Sequence, residues 1–273
     1  MDINQLLQAL SSGKKEHVLE ALHRNVPQKL YKYVWLDGSE NDKLKFNSLE
    51  NNTLWISGIE MFNDPFEFKG LTIDKAKFET KGFSKDVINA YADCLDFSHE
   101  YGVCCLSNVP VDYLPMWAYY TNNHRGFCIE YEVLKNDYIF EVMYEPKRYS
   151  VFSSILQLAS ELQKLVKHDR SFDERKALEL GYMFLFNMLI KSDNWAHEHE
   201  FRILYNMDLR NKKGDNISLD TLGLKTTMII GGYKCNPDNL NNLNRISQKL
   251  IGDSAYQVIM SDTEFTTIEK KIH

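Results

Sequence analysis

In the stretch NWAHEHEFRILY, residues 194–205, the segment HEHEFRILY reads as a strand that carries charge where a core strand would be aliphatic. Strand alternation puts Glu198, Glu200 and Arg202 on one face and His197, His199 and Phe201 on the other. Two carboxylates and a guanidinium on one edge suit recognition of a sugar hydroxyl or stabilisation of a nearby positive charge. Two helical segments, roughly 152–168 and 172–192, precede this strand. KTTMIIGG, a helix over about 237–252, and the strands YQVIM and TTIEKKI follow it. Upstream, LYKYVW, TLWIS, YGVCCLS, FCIEY and YIFEVMY read as strands, the last two as antiparallel neighbours. A helix runs from Ser84 to about Phe97 and a shorter one from Asp112 through Tyr120, while LDGSENDK is a polar loop.

Strands and helices do not alternate regularly, which argues against a doubly wound parallel sheet. The expected class is α+β, with mixed, mostly antiparallel sheets and inserted helices. Two small sheets packed near each other, with residues 152–192 inserted before the glutamate strand, fit that order. Residues 1–26 read as an N-terminal helical extension closed by Pro27, and residues 27–273 as a single domain.

Composition bounds the function. The chain has 273 residues, 44% hydrophobic and 26% charged, ordinary for a globular protein with ample core. A net charge of −6 gives no footprint for non-specific nucleic-acid binding, so nucleic acid enters only as a possible acceptor. The five cysteines, Cys94, Cys104, Cys105, Cys128 and Cys235, show no CxxC spacing and read as reduced thiols of a cytoplasmic protein. The start of the chain lacks the pattern of a signal peptide, and the apolar run YMFLFNMLI is too short to span a bilayer.

Three further patches mix aromatics with polar groups: LYKY at 30–33, LWISGIEMFNDPFE at 54–67 and MWAYYTNNHRGFCIEY at 116–131. Each has a plain structural reading. Asn63-Asp64-Pro65 forms a turn, because Asn and Asp side chains bond back to the backbone and Pro fixes φ. Phe62, Phe66 and Phe68 then pack inward, and Glu67 is solvated or paired. Trp117, Tyr119 and Tyr120 serve as core and pocket wall. On the same plain reading, Glu198, Glu200 and Arg202 form the wet face of an edge strand. Cys104 and Cys105, beside Ser107, sit in apolar context and suit burial better than nucleophilic work.

Taken in order, LYKY, LWIS with FNDPFE, VCCLS, MWAYYTNNHRGFCIEY, V-x-Y and W-x-x-E-x-E-F-R resemble the bacterial DUF2971 family over roughly residues 30–235. Leu106 stands where that family often has an aromatic, and Ala196-His197 varies the spacer between tryptophan and glutamate. A second resemblance is to the ADP-ribosyltransferase superfamily, whose enzymes split NAD in a fold of two short packed sheets. Its ordered signatures are a polar residue on an early strand, a serine or tyrosine on a second strand and a late Glu-x-Glu. Here they correspond to Tyr31-Lys32-Tyr33, Trp55-Ile56-Ser57 and Glu198-His199-Glu200, without the usual early Arg or His.

That resemblance implies NAD as substrate, with no metal. Cleaving the nicotinamide–ribose bond develops an oxocarbenium-like cation, as in glycoside hydrolysis. Glu200 is expected to stabilise it and Glu198 to activate an acceptor as general base. Ser57 would hydrogen-bond the ribose or the nicotinamide amide. Tyr31, Trp55, Phe62 and Trp117 would stack on the bases, Asn63 and Asp64 would line the pocket, and Lys32 or Arg125 would meet the pyrophosphate. Such an enzyme suits a toxin or antiphage effector, with a macromolecular acceptor and a regulatory partner contacting residues 2–24. Two other readings stand beside it: a non-enzymatic module binding a nucleotide or partner, and a metal-dependent hydrolase using His197 and His199 with Asp64 or, alternatively, His124.

Overall fold

The computed structural model of the chain describes residues 8, 9, 12, 14–93, 96 and 99–272. The strands among them are β1 (Lys29–Val34), β2 (Thr53–Ser57), β3 (Leu71–Thr72), β4 (Tyr101–Ser107), β5 (Phe127–Val133), β6 (Ile139–Glu141), β7 (Met143–Glu145), β8 (Tyr149–Ser150), β9 (Ile190–Ser192), β10 (Glu200–Asn206), β11 (Gly214–Ser218), β12 (Leu224–Gly231), β13 (Tyr256–Met260) and β14 (Thr267–Lys271). Ten of them form one sheet in the order β11-β2-β4-β1-β5-β12-β13-β14, with β10 on β4 and β6 on β10. Every pairing in it is antiparallel except that of β12 with β13. Two parallel two-stranded ribbons, β3–β8 and β7–β9, complete the strands. The fold is α+β with mixed, mostly antiparallel sheets. The large sheet replaces the two separate small ones expected from strand order.

Register explains how one sheet carries a split. β4 pairs with β10 along its whole length, from Glu200↔Ser107 to Asn206↔Tyr101. Its opposite edge is shared by two strands, each touching at one position: β1 through Tyr31↔Ser107 and β2 through Ser57↔Val103. Between those two contacts β1 and β2 diverge, and Cys104, Cys105 and Leu106 face a gap along that edge. The Cys105 carbonyl accepts a hydrogen bond from Lys32 Nζ at 3.0 Å across the opening.

Apolar faces cover both sides of the sheet. One cluster joins Leu30, Ile56, Leu106, Ile129, Phe201 and Ile203 to Leu49 of helix Asn41–Glu50 and to Leu243 and Ile246 of helix Pro237–Leu250. Helix Asn41–Glu50 begins inside the expected polar loop; Phe46 stacks on Phe127 with ring centroids 5.6 Å apart, and that tertiary contact stabilises a weakly patterned segment. On the other side, Val18 and Leu22 of helix Lys15–His23 pack with Phe78, Phe140, Phe152, Phe186 and Leu189. The expected helix at the start of residues 2–24 falls largely outside the described residues.

Two local readings change. YIFEVMY is broken at Val142, so that β6 pairs with β10 and β7 with β9 and neither pairs with β5. The second long helix, Glu174–Leu189, stops before residue 192, and Ile190–Ser192 turns into a strand. Asp173 caps that helix by accepting from Lys176 N–H.

Candidate active site

A cavity of about 550 Å³ occupies the split between β1 and β2. That volume is in the range of small-molecule sites, roughly 300–1,000 Å³. Tyr31 and Lys32 come to it from β1, Trp55 and Ser57 from β2, and Phe62 and Asn63 from the turn that follows. Lys191, Glu198 and Glu200 form another part of its wall, and Tyr119 and Tyr120 come from helix Leu114–Tyr120. Ser57 Oγ donates to the Val103 carbonyl at 3.3 Å, at the contact where β2 leaves β4. Trp55 and Tyr119 are 45% and 64% exposed and stand at the mouth, so flat apolar faces are presented there to a ligand.

Three expected site residues do not line the cavity. Trp117 is fully buried, with Nε1 donating to the Val111 carbonyl and its ring edge-on to Tyr33, so it is a core residue. Asp64 Oδ1 accepts from Phe66 N–H at 2.8 Å, the Asx turn foreseen for Asn63-Asp64-Pro65. Arg125 is exposed, and its guanidinium donates to the nearby Asn122 carbonyl. Phe66, expected inside, is 54% exposed, whereas Phe68 is buried.

The glutamates sit differently from the strand reading. Glu198 ends a 3-10 turn, Asp193–Glu198; His199 follows in the left-handed region with φ 44°; β10 begins only at Glu200. A non-glycine residue there carries strain, and it joins a tight turn directly to a strand. Both carboxylates nonetheless meet one ammonium: Lys191 Nζ lies 2.6 Å from Glu198 Oε2 and 2.7 Å from Glu200 Oε2. Arg202 Nε donates to Glu200 Oε1 at 2.7 Å, Nη1 to the Met188 carbonyl, and Nη2 pairs with Glu67 Oε1 at 2.5 Å. The Tyr120 hydroxyl donates to Glu198 Oε1, and the Glu200 N–H donates to the Tyr144 hydroxyl.

Three carboxylates, Glu67, Glu198 and Glu200, thus face two cations, Lys191 and Arg202, and all five side chains are buried. Burial opposes ionisation of Glu200, yet Arg202 and Lys191 outweigh it and hold that carboxyl below its usual range. For Glu198 burial wins: the carboxyl is pushed up, with the charge of Glu200 adding to the effect and Lys191 opposing it. Burial likewise raises Glu67 despite Arg202. Arg202 and Lys191 remain cationic because the carboxylates outweigh the cost of burying them. The ion-paired groups number three carboxylates to two cations, with Lys32, which also feels Glu200, held on the Cys105 carbonyl beside them.

Lys191, Glu67, Tyr120 and Tyr144 were not singled out from sequence as members of this cluster. Lys191 had a signal: it is the first charge after the apolar run 182–190. Glu67 had the alternative of being paired, which it is. Around the other expected donors, His197 packs against Tyr119 and Trp195, and His199 is exposed. Among the described residues no group of three His, Cys, Asp or Glu is arranged to hold a metal ion. Cys104, Cys105, Cys128 and Cys235 are free thiols, each with its pKa raised by burial.

Fold and site together define an α+β protein with an aromatic-walled cavity over a buried carboxylate–cation cluster. Residues 116–203, which contain Tyr120, Lys191, Glu198, Glu200 and Arg202, match the family model DUF2971, described as a protein of unknown function. No curated protein and no solved structure matches the chain. Among the described residues no helix is long and apolar enough to cross a membrane.

Proposed function

We propose that the cavity binds NAD and cleaves its nicotinamide–ribose bond, passing ADP-ribose to water or to a macromolecular acceptor in the manner of an ADP-ribosyltransferase. One observation carries this reading: the buried carboxylate pair Glu198 and Glu200, held on one ammonium, shares the cavity in the sheet split with Ser57, Lys32 and aromatic walls. A pyridinium ring brings a positive charge to the site, and the oxocarbenium-like transition state concentrates that charge at C1′. Fixed carboxylates out of water stabilise it without reorganising. Glu200 accepts from Arg202 and Lys191, with the Cys105 thiol also bonded to it, so a ribose hydroxyl would take the place of the weak thiol donor. Lys32 meets the diphosphate, Ser57 the ribose or carboxamide, and Trp55, Tyr31 and Phe62 stack on the rings. A cytoplasmic toxin or antiphage effector is the setting such a reaction suits.

A second reading is favoured by the pairing of Glu200 itself. A carboxylate already neutralised by Arg202 and Lys191 suits a binding module that senses a nucleotide without cleaving it. Nicotinamide release from NAD, with candidate acceptors supplied, separates the two. Wild type should release nicotinamide, and Glu200→Gln should fold and bind while losing on the order of 10²–10³ in rate. Equal turnover in wild type and Glu200→Gln refutes the catalytic reading, and NAD binding without release by wild type supports the module.

A further inference from the structure

We infer that Lys191 is the positioning residue of the glutamate pair: its single ammonium, delivered by β9, holds Glu198 and Glu200 side by side on the cavity wall and is the positive charge that the two carboxylates share. The inference deepens the reading of the cavity as an NAD-cleaving site and rests on it for its catalytic consequence. Its physical basis is independent of any substrate.

Lys191 is buried, and its Nζ sits 5.2 Å from the centre of the Trp195 ring, so an aromatic face joins the two carboxylates around the ammonium. Glu198 reaches it from the 3-10 turn, and Glu200 and Arg202 reach the cluster from β10. Cys105 of β4 adds a neutral thiol, because burial keeps it protonated. Behind these groups, Tyr120 bonds Glu198, Tyr144 bonds the Glu200 backbone, and Glu67, itself near Asp64, pairs with Arg202. Arg202 already serves two carboxylates, Glu67 and Glu200. Among the described residues Lys191 is the cation that pairs with Glu198. Without that ammonium, Glu198 and Glu200 become like charges in a shared buried site, and one of them must take up a proton.

The test is a pH titration of ¹³C-carboxyl-labelled glutamates by NMR in wild type and Lys191→Met. The Glu198 midpoint should rise by about 1–3 pH units in the variant, the effect of losing a charge partner. Unchanged midpoints overturn the inference. Should Lys191→Met not fold, the double variant Lys191→Met with Glu198→Gln removes one charge of each sign. Its Glu200 midpoint should then lie above that of Glu198→Gln alone, and equal midpoints overturn the inference. In parallel, nicotinamide release should fall in kcat more than KM changes in Lys191→Met, with its acid limb moved to higher pH. A wild type that releases no nicotinamide would sink the NAD reading while leaving the titration to decide the role of Lys191.

Discussion

Arg202 shows how a charge can be buried on both sides of a sheet strand. Its neighbours on β10, Phe201 and Ile203, belong to the apolar core, and the guanidinium is compensated by Glu200, Glu67 and the Met188 carbonyl. Removing one partner of such a network leaves uncompensated buried charge, so Arg202→Met should cost about 3–5 kcal/mol in urea unfolding. A loss within about 0.5 kcal/mol, the scale of an ordinary surface substitution, would show the network to be dispensable. Glu198 gives a pH-dependent counterpart. Its folded pKa lies above its unfolded value, so bound proton stabilises the fold; that contribution is present in acid and lost as pH rises through the folded pKa. Wild type should therefore lose Tm relative to Glu198→Gln on going from the ordinary carboxylate range toward neutrality. A Tm difference that stays constant with pH would contradict the dominance of burial at Glu198. At this scale the sequence pattern pointed to Glu198, Glu200 and Arg202 because charges spaced by two in an apolar run are unusual. Glu67 escaped because Arg202 lies far along the chain, and Lys191 because β9, the 3-10 turn and β10 change direction between it and its partners, so no single period relates them.

The elements that make the site are those that depart from regular pairing. β1 and β2 each hold β4 by one residue pair, and the turn before β5 must bring the chain back tightly against the end of β1. Asn122, Asn123 and His124 all adopt positive φ there, and Gly126 N–H donates to the Thr121 carbonyl. A Cβ at Gly126 would collide with the Val34 carbonyl, a backbone atom that cannot rotate away. Gly126→Ala should thus destabilise by about 1–3 kcal/mol, read as a lower urea midpoint. An unchanged midpoint would mean that β1 and β5 can separate at no cost. Strands with strong β-branched or aromatic content, such as FCIEY and YQVIM, announced themselves in sequence. Helix Asn41–Glu50 did not, because its apolar positions are few and Phe46 finds its partner on β5. The break at Val142 was equally hidden, since an apolar run does not say which strand each half will pair with.

For the whole molecule, the interrupted order of strands and helices was enough to place the chain in the α+β class, whereas sheet number was not. A single large sheet and two small ones can share the same element order; only the register of β1, β2 and β10 on β4 decides between them. Convergence followed the aromatic-plus-polar composition of the patches for Tyr31, Lys32, Trp55, Ser57, Phe62, Asn63, Glu198 and Glu200. It failed for Trp117, Asp64 and Arg125, whose residue types serve core, turn and surface as readily as a pocket. The most direct measurement is the crystal structure of Glu200→Gln soaked with NAD. It should place the nicotinamide riboside C1′ against residues 198 and 200, with the diphosphate at Lys32 and a ring on Trp55. NAD bound elsewhere, or a cavity left empty at saturating NAD, would contradict the assignment of this cavity as the NAD site.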